Sequence, residues 1–521
     1  MSNGSFISTT IPYVNARPHL GHALEYVQAD CFARFQRLQG GDVFFLTGSD
    51  ENSLKNVIAA EAEGISTREL VDRNVVYFEQ LTEQLGMSQD DFIRTSVDPR
   101  HIAGASRVWE LIAANGDIYK KTYEGLYCVG CEQFYTPAEL VDGKCPEHLV
   151  PPELVSEENY FFRLSRYQNQ LLDAYKSGAL QIVPTSRYNE VVSFVEAGLE
   201  DISVSRSTER ARGWGIPVPG DPSQVIYVWI DALTNYITAL GWADGDEKYR
   251  RYWAEAESRV HILGKGVTRF HAVYWPAMLM SAGLPLPTKT VVHGYITANG
   301  RKLSKSLGNV VDPVAVVGKY GLDAVRYALL ADISPFEDGD FNEERLVQRY
   351  TTDLANGLGN LVSRVASMIG RYRKGTIPQA AGERTDLDEQ LARQVAESVE
   401  GVVAAMGRYD HREALAHVGD LIRASNSYVD GNAPWHLAKA AKAGDKAADA
   451  RMDTVFLHLT GAIRQVGLLL LPFLPGSAEK ILATIGEEGR RLGDPAEWLE
   501  GLPGRTMVKP EPIFPRMELE D

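Results

Sequence analysis

Hydrophobic positions along the chain change their period twice, and the changes divide it. Phe6-Ile7-Ser8-Thr9-Thr10-Ile11 is a β-branched run that reads as a strand, and Pro12 and Pro18 mark a loop after it. Leu24, Val27, Cys31 and Phe35 then recur at helical spacing and predict a helix that starts near Gly21. Asp42-Val43-Phe44-Phe45-Leu46-Thr47-Gly48 reads as a second strand closed by a glycine turn. Strand, helix, strand is the βαβ unit of a parallel nucleotide-binding sheet. From about 116 to 225 the pattern breaks into short aromatic strands and turns, an insertion between the halves of that sheet. Strand signals return at Val225-Ile226-Tyr227-Val228-Trp229, at Val260-His261-Ile262-Leu263 and at 290–296. Past about 345 the helical period takes over. Leu354, Leu358, Leu361, Val362 and Val365 share one stripe, and stripes recur around 389–407, 414–429 and 451–470. Residues 386–391 open one of these helices, after a linker with Gly and Pro at 375–383.

The expected fold class is therefore α/β: a split Rossmann-like parallel sheet with an insertion, read as a zinc knuckle from the Cys128, Cys131, Cys145 and His148 spacing, followed by an all-α helical bundle. Expected boundaries are 1–115 and 226–296 for the halves of the sheet, 116–225 for the insertion and 297–350 for a linking region. The bundle is expected over 351–500 and an extended tail over 501–521.

Composition narrows the picture only a little. At 521 residues with 44% hydrophobic and 23% charged positions, the chain holds more than one ordinary globular core. A net charge of −16 excludes a uniformly basic nucleic-acid binder but leaves room for a local basic face. Residues 1–10 lack the basic and apolar regions of a secretory leader, so a cytoplasmic protein is expected. The run Leu468-Leu469-Leu470-Leu471-Pro472-Phe473-Leu474 is too short to span a bilayer, which takes about 20 residues. It reads as a buried helix end stopped by prolines, and no membrane contact is expected.

The chemistry lies in two short motifs far apart. His19-Leu20-Gly21-His22 sits at the predicted helix start, where unpaired N–H groups and positive potential bind phosphate. Gly21 permits close backbone approach, and imidazoles three apart project from one turn. Lys302-Leu303-Ser304-Lys305-Ser306 places two ammonium groups between Gly300 and Gly308, a loop able to close over a triphosphate and neutralise departing pyrophosphate. Each motif alone is better read as a surface loop, and only their combination favours the nucleotide site. A third constellation, Cys128-Val129-Gly130-Cys131 followed by Cys145-Pro146-Glu147-His148, has knuckle spacing and a complete set of four ligands. Thiolates and imidazole favour zinc, and four protein ligands predict a structural site. Cys31 falls on the helical stripe and reads as core.

The two separated motifs, in this order, resemble the signature sequences of class I aminoacyl-tRNA synthetases. Thr10-Ile11-Pro12-Tyr13-Val14-Asn15, Val228-Trp229-Ile230-Asp231-Ala232 and Phe270-His271-Ala272-Val273-Tyr274-Trp275-Pro276 narrow the resemblance to the methionyl-tRNA synthetase family, over nearly the whole chain. The resemblance implies ATP-dependent formation of methionyl-adenylate, with Mg2+ accompanying ATP, then transfer of methionine to initiator and elongator tRNA by a monomer. It implies a methionine site of Ile11, Tyr13, Asp50, Val228, Trp229, Ala232, Leu233, Tyr236, Val267 and His271, with Asp50 on the ammonium group and Tyr236 on the thioether. Leu233 and Val267 stand where the family varies. His19, Gly21, His22, Lys302, Ser304 and Lys305 would bind ATP, and His19, His22, Lys302, Lys305 and Arg206 would serve the chemistry. Asn360, Arg364 and Trp435 would read the anticodon, through hydrogen bonds and stacking on unstacked bases. From spacing alone, Asn432-Ala433-Pro434-Trp435 reads rather as a helix cap with its tryptophan packed inward, and the resemblance reverses that reading. Relatives often carry four cysteines at the knuckle, so His148 departs from that version.

Other readings compete. A leucine, isoleucine or valine enzyme would need a longer editing insertion. A tRNA-independent nucleotidyl transferase would not need the helical domain. A silent tRNA-binding protein would not need His19, His22, Lys302 and Lys305.

Overall fold

In the computed structural model, described residues are 4–128, 133–146, 149–298, 301–302, 311–489, 491–515 and 517. They fall into two compact units. The first comprises Met1–Glu25, Asp42–Glu83 and Ser88–His293; the second comprises Tyr26–Gly41, Gln84–Met87 and Gly294–Asp521.

The first unit is built on a six-stranded sheet. In spatial order its strands are Asp91–Arg94, Val43–Ser49, Ser5–Ser8, Ser258–Gly264, Lys289–His293 and Gln181–Val183, and every neighbouring pair is parallel. Every residue of Val43–Ser49 is buried, as expected of a strand covered on both faces. Strand order reverses between Ser5–Ser8 and Ser258–Gly264, so the crevice beyond their carboxyl ends is the switch point where doubly wound sheets bind ligands. Helix Leu20–Leu38 begins there. The edge strand Gln181–Val183 lies inside the stretch read as an insertion. Three residues are too few for periodicity to reveal, and pairing with Lys289–His293 makes them a strand. The rest of that stretch folds largely as an antiparallel sheet of Gln133–Tyr135, Ile118–Cys128, Glu153–Phe162 and Ile202–Ser203.

One local prediction is corrected. The β-branched run 225–229 splits: strand Asp221–Ile226 ends, and helix Val228–Leu233 begins after Tyr227. The Tyr227 carbonyl accepts from both Ile230 and Asp231 N–H groups, so tertiary burial of Val228, Ile230, Ala232 and Leu233 overrides local strand preference.

The second unit is mainly helical. Its long elements are Asn360–Arg373, Asp386–Gly407, His411–Asn432 and Lys446–Leu470. The predicted stripe is buried throughout, with Leu354, Leu358, Leu361, Val362 and Val365 each at 2% exposure or less. Arg326, fully buried, is neutralised by Asp30 at 2.8 Å and donates to the carbonyls of Leu85, Pro472 and Phe473. A buried charge persists only with such partners. The tail is not merely extended: Thr376 and Thr506 form a β-bridge, and Leu502, Met507, Ile513 and Phe514 are buried. No helix among the described residues is long and apolar enough to cross a membrane.

Candidate functional site

At the switch point of the first unit, helix Leu20–Leu38 presents its N-terminus with two imidazoles. The His19 and His22 rings stack, with centroids 3.9 Å apart and planes 22° apart. His22 Nδ1 accepts the His19 backbone N–H at 3.1 Å, and His19 Nδ1 accepts that of Gly21 at 3.1 Å. An imidazole nitrogen that accepts carries no proton, so each neutral ring holds its proton on Nε2 as a donor. Burial, and then repulsion from His19, hold His22 well below the usual histidine value. The pair thus presents Nε2–H donors on a positive helix end, an arrangement suited to phosphate oxygens.

Beside it runs an aromatic wall. Trp229 stacks on Phe270 at 3.8 Å and 11°, and Tyr13 meets Trp229 edge-on at 6.2 Å. Helix Val228–Leu233 buries Val228, Ala232 and Leu233. Tyr13 forms a β-bridge with Asp50, whose N–H donates to the Pro12 carbonyl at 2.9 Å. Gly48 lets Ile93 and Ile11 pack close to its strand, because a Cβ there would lie 2.3 Å from the Ile93 carbonyl oxygen and 3.1 Å from Ile11 Cγ2. Deeper in, His271 Nδ1 lies 3.0 Å from the Val267 carbonyl and Nε2 lies 2.7 Å from the Tyr236 hydroxyl. A carbonyl only accepts, so Nδ1 carries the proton and Tyr236 donates to Nε2. Burial pushes His271 down to about 4, and burial foremost pushes the Tyr236 phenol up. Both stay neutral across the physiological range.

In the first unit the structure therefore joins Tyr13 to Asp50 and Trp229, and Tyr236 to His271 and Val267, while His19 and His22 stand at the start of helix Leu20–Leu38. Arg206 lies on strand Ser205–Ser207, buried against the ring of Tyr227 at 4.2 Å. Lys302 ends the short strand Arg301–Lys302 of the second unit, paired with Ile296–Ala298. Ser304 and Lys305 lie outside the described residues.

Several residues with a part in this site escaped sequence reasoning. The Glu25 carboxylate, buried on helix Leu20–Leu38, accepts the Thr10 N–H at 2.8 Å and the Thr10 hydroxyl, the Gly264 N–H at 3.1 Å, and His293 Nε2 at 3.0 Å. Burial works to raise its pKa, but the hydrogen bonds and charge of His293 and the Thr10 donors outweigh it and hold the carboxyl low. Glu25 thereby ties the carboxyl ends of three strands at the switch point. Its signal was a carboxylate beside Leu24 on a predicted apolar face. Behind Trp229, Asp231 accepts from His101 Nε2 at 2.5 Å and from Asn52 at 2.7 Å, all three groups being mostly or fully enclosed. Asp231 stood in a quoted segment without a role, and nothing local marks His101 as its partner.

Cys128 and Cys145 are both buried in one small cluster with Tyr135, and Cys145 Sγ lies 3.5 Å from the Tyr135 hydroxyl. Two thiols brought together across the gap in sequence fit half of a zinc knuckle. Cys131 and His148 lie outside the described residues. Among the described residues no group of three or more metal-ligating side chains is gathered.

In the second unit, Arg364 and Trp435 meet: the guanidinium carbon is 5.9 Å from the ring centroid. Asn360, exposed, lies one turn before Arg364 on helix Asn360–Arg373. Trp435 is 40% exposed, which excludes the inward-packed alternative. Arg364 also pairs with Asp430 at 3.0 Å.

Comparison with known proteins agrees with this geometry. The family model for class I tRNA synthetases (M) matches residues 5–153 and 148–366. The model for the anticodon binding domain of methionyl tRNA ligase matches 377–521. Methionine–tRNA ligase of Brucella suis is 44% identical over 98% of this chain and 97% of that protein. The Bacillus subtilis enzyme is 41% identical over the whole chain and 79% of its own length. Mycobacterium tuberculosis methionyl-tRNA synthetase, solved in complex with methionyl-adenylate, superimposes with a TM-score of 0.92 at 41% identity, covering 99% of this chain and 100% of that one.

Proposed function

The chain belongs to the methionyl-tRNA synthetase family, and from that premise we propose how its residues divide the work. The enzyme activates methionine with ATP, giving methionyl-adenylate and pyrophosphate, and transfers the methionyl group to tRNA. In the first step a methionine carboxylate oxygen attacks the α-phosphorus, and the bond to the β-phosphate bridge breaks. In the second, the terminal ribose hydroxyl of tRNA attacks the activated carbonyl and AMP leaves. Neither elementary step requires a protein nucleophile, so positioning and charge stabilisation carry the catalysis.

The observation that carries the division of labour is the stacked histidine pair at a helix N-terminus, in the same unit as the stacked Trp229–Phe270 wall. His19 and His22 donate Nε2–H to phosphate oxygens, and Gly21 permits close approach. Lys302, Ser304 and Lys305 hold the leaving pyrophosphate. Bound with ATP between these groups, Mg2+ would add neutralisation of phosphate charge. Tyr13, Trp229, Ala232, Leu233 and Val228 enclose the methionine side chain. Tyr236, oriented by its bond to His271, and the Ile11 backbone face the thioether, and Asp50 binds the ammonium group. Sulfur–aromatic contacts contribute about 0.3–1.5 kcal/mol each, so several must combine with shape to select methionine. Arg206 assists from the inserted domain. Asn360, Arg364 and Trp435 read the anticodon of initiator and elongator methionine tRNA. The enzyme acts as a cytoplasmic monomer, which sedimentation of the purified chain would test.

Methionine-dependent ATP–pyrophosphate exchange, measured with each of the twenty amino acids, tests the pocket: methionine alone should drive it. Lys305→Ala should lower the exchange rate by roughly 10²–10³, the cost of removing one transition-state charge contact. Normal exchange in that variant would overturn the assignment. Cys128, Cys131, Cys145 and His148 would hold a structural zinc whose folding contribution is lost with any ligand. Stoichiometric zinc by elemental analysis, and a lowered melting temperature for Cys145→Ala, are expected; zinc-free protein with full stability would remove the site.

A further inference from the structure

The link between helices His411–Asn432 and Pro434–Lys442 is a single residue, Ala433, and it stands in the left-handed region at φ 42°. That conformation is strained for a residue with a Cβ, so neighbouring contacts must hold it. Asn432 supplies them. Its Nδ2 donates to the Tyr428 carbonyl at 3.0 Å, and its Oδ1 accepts from Arg451 Nη2 at 2.6 Å. Arg451, from helix Lys446–Leu470, is itself fixed. It donates to both oxygens of buried Asp388, Nη1–Oδ2 at 2.5 Å and Nη2–Oδ1 at 3.0 Å, and to Thr385 Oγ1 at 3.0 Å. Asp388 also accepts the Tyr428 hydroxyl and, at 2.7 Å, the Thr385 N–H. One planar guanidinium therefore joins three long helices to the turn. Lysine, a point charge without the fork, would not reproduce this. Two residues past Ala433's left-handed turn stands the Trp435 ring, beside Arg364.

We propose that Arg451, acting through the Asn432 side chain, is a positioning residue for RNA reading: it sets the Ala433 turn and so the place of the Trp435 ring beside Arg364. The inference rests on the reading of Trp435 and Arg364 as contacts to the anticodon. It adds a residue that touches no RNA, and a hydrogen bond through which it acts.

The test uses the full-length enzyme and a methionine tRNA transcript, with kcat and tRNA KM measured separately and melting temperature recorded. Asn432→Ala cuts the link to the turn and leaves the Arg451–Asp388 pair in place. Tenfold higher tRNA KM is expected, about 1.4 kcal/mol, consistent with weakened stacking of one base. The kcat should stay within about twofold, because a merely destabilised protein loses active molecules, and thus kcat, rather than affinity. Asn432→Asp keeps the acceptor for Arg451 and should restore KM. Arg451→Lys should raise KM in the same direction. In a Trp435→Ala background, Asn432→Ala should add nothing further, the non-additivity of residues acting through one group. An unchanged KM in Asn432→Ala while Trp435→Ala raises it, an additive double variant, or failure of the Asp variant to rescue would each overturn the proposal. If Trp435→Ala alone left KM unchanged, the anticodon reading would fall, and this inference with it.

Discussion

Two tryptophans show how differently the units are built. Trp229 lies against Phe270 in a wall whose backing residues are buried, with Tyr236 and His271 locked in a neutral hydrogen bond behind. Trp435 stands 40% exposed at the start of a short helix, with an arginine at its side. The first environment suits a small, largely apolar ligand, which can be selected only when water is excluded and several weak contacts act together. The second suits a base displaced from its stack, for which the protein must keep an aromatic face open. The difference teaches that preorganisation takes different forms: enclosure in the first unit, and in the second a buried polar hub that fixes an exposed ring from behind.

Phe270→Ala should break the enclosed side of this contrast most severely. Removing a buried aromatic costs about 3–5 kcal/mol, to be read by calorimetry, and the methionine KM should rise strongly because Trp229 loses its backing. An unchanged methionine KM would mean that the stack is core and not pocket wall. A pH titration separates the units more finely. Asp388 is pulled down to about 2: burial alone would raise it, but Arg451, Tyr428 and the Thr385 N–H reverse that. Its folded value lies below its unfolded one, so its contribution of about 2 kcal/mol is complete above roughly pH 4 and is lost as pH falls through the folded value. His271 is also depressed, to about 4, by burial. Its contribution is complete above roughly pH 6.5 and is lost as pH falls toward 4, the window in which the unfolded chain takes a proton that the folded one refuses. His271→Gln should lessen the slope of stability between about pH 6.5 and 4, a window shared with the depressed His22, His261 and His458, and Asp388→Asn should lessen it only below about 4. Coincident effects would contradict these assignments. The smallest effect belongs to Asp430, 65% exposed in its pair with Arg364. Asp430→Ala should move the melting temperature hardly at all, since exposed pairs contribute about 0–1 kcal/mol. It should lower tRNA KM slightly by releasing Arg364; a marked rise would show that Asp430 orients the arginine.

Much of this was legible along the chain, for a reason that differs from residue to residue. His19 and His22 are three apart at a strand–helix junction, so the helix itself makes them neighbours. Cys31 sits at a stripe position and is buried as its spacing requires. The pattern failed where a residue's state depended on a distant partner. Val228 and Trp229 have strand propensity but begin a helix, and Gln181–Val183 becomes a strand only by pairing with Lys289–His293. Nothing near Glu25 announces Thr10, Gly264 and His293 as its partners.

The sequence by itself determined the helical and strand periods, the helix start that carries His19 and His22 and the order of the motifs, because these depend on residues a few positions apart. Only the tertiary structure decided the strand order, the partners of Asp30, Glu25 and Asp231, and the Arg451 hub behind Trp435. A buried charge or amide is stable only when a complementary group arrives from elsewhere in the chain, and that pairing is set by packing rather than by local spacing.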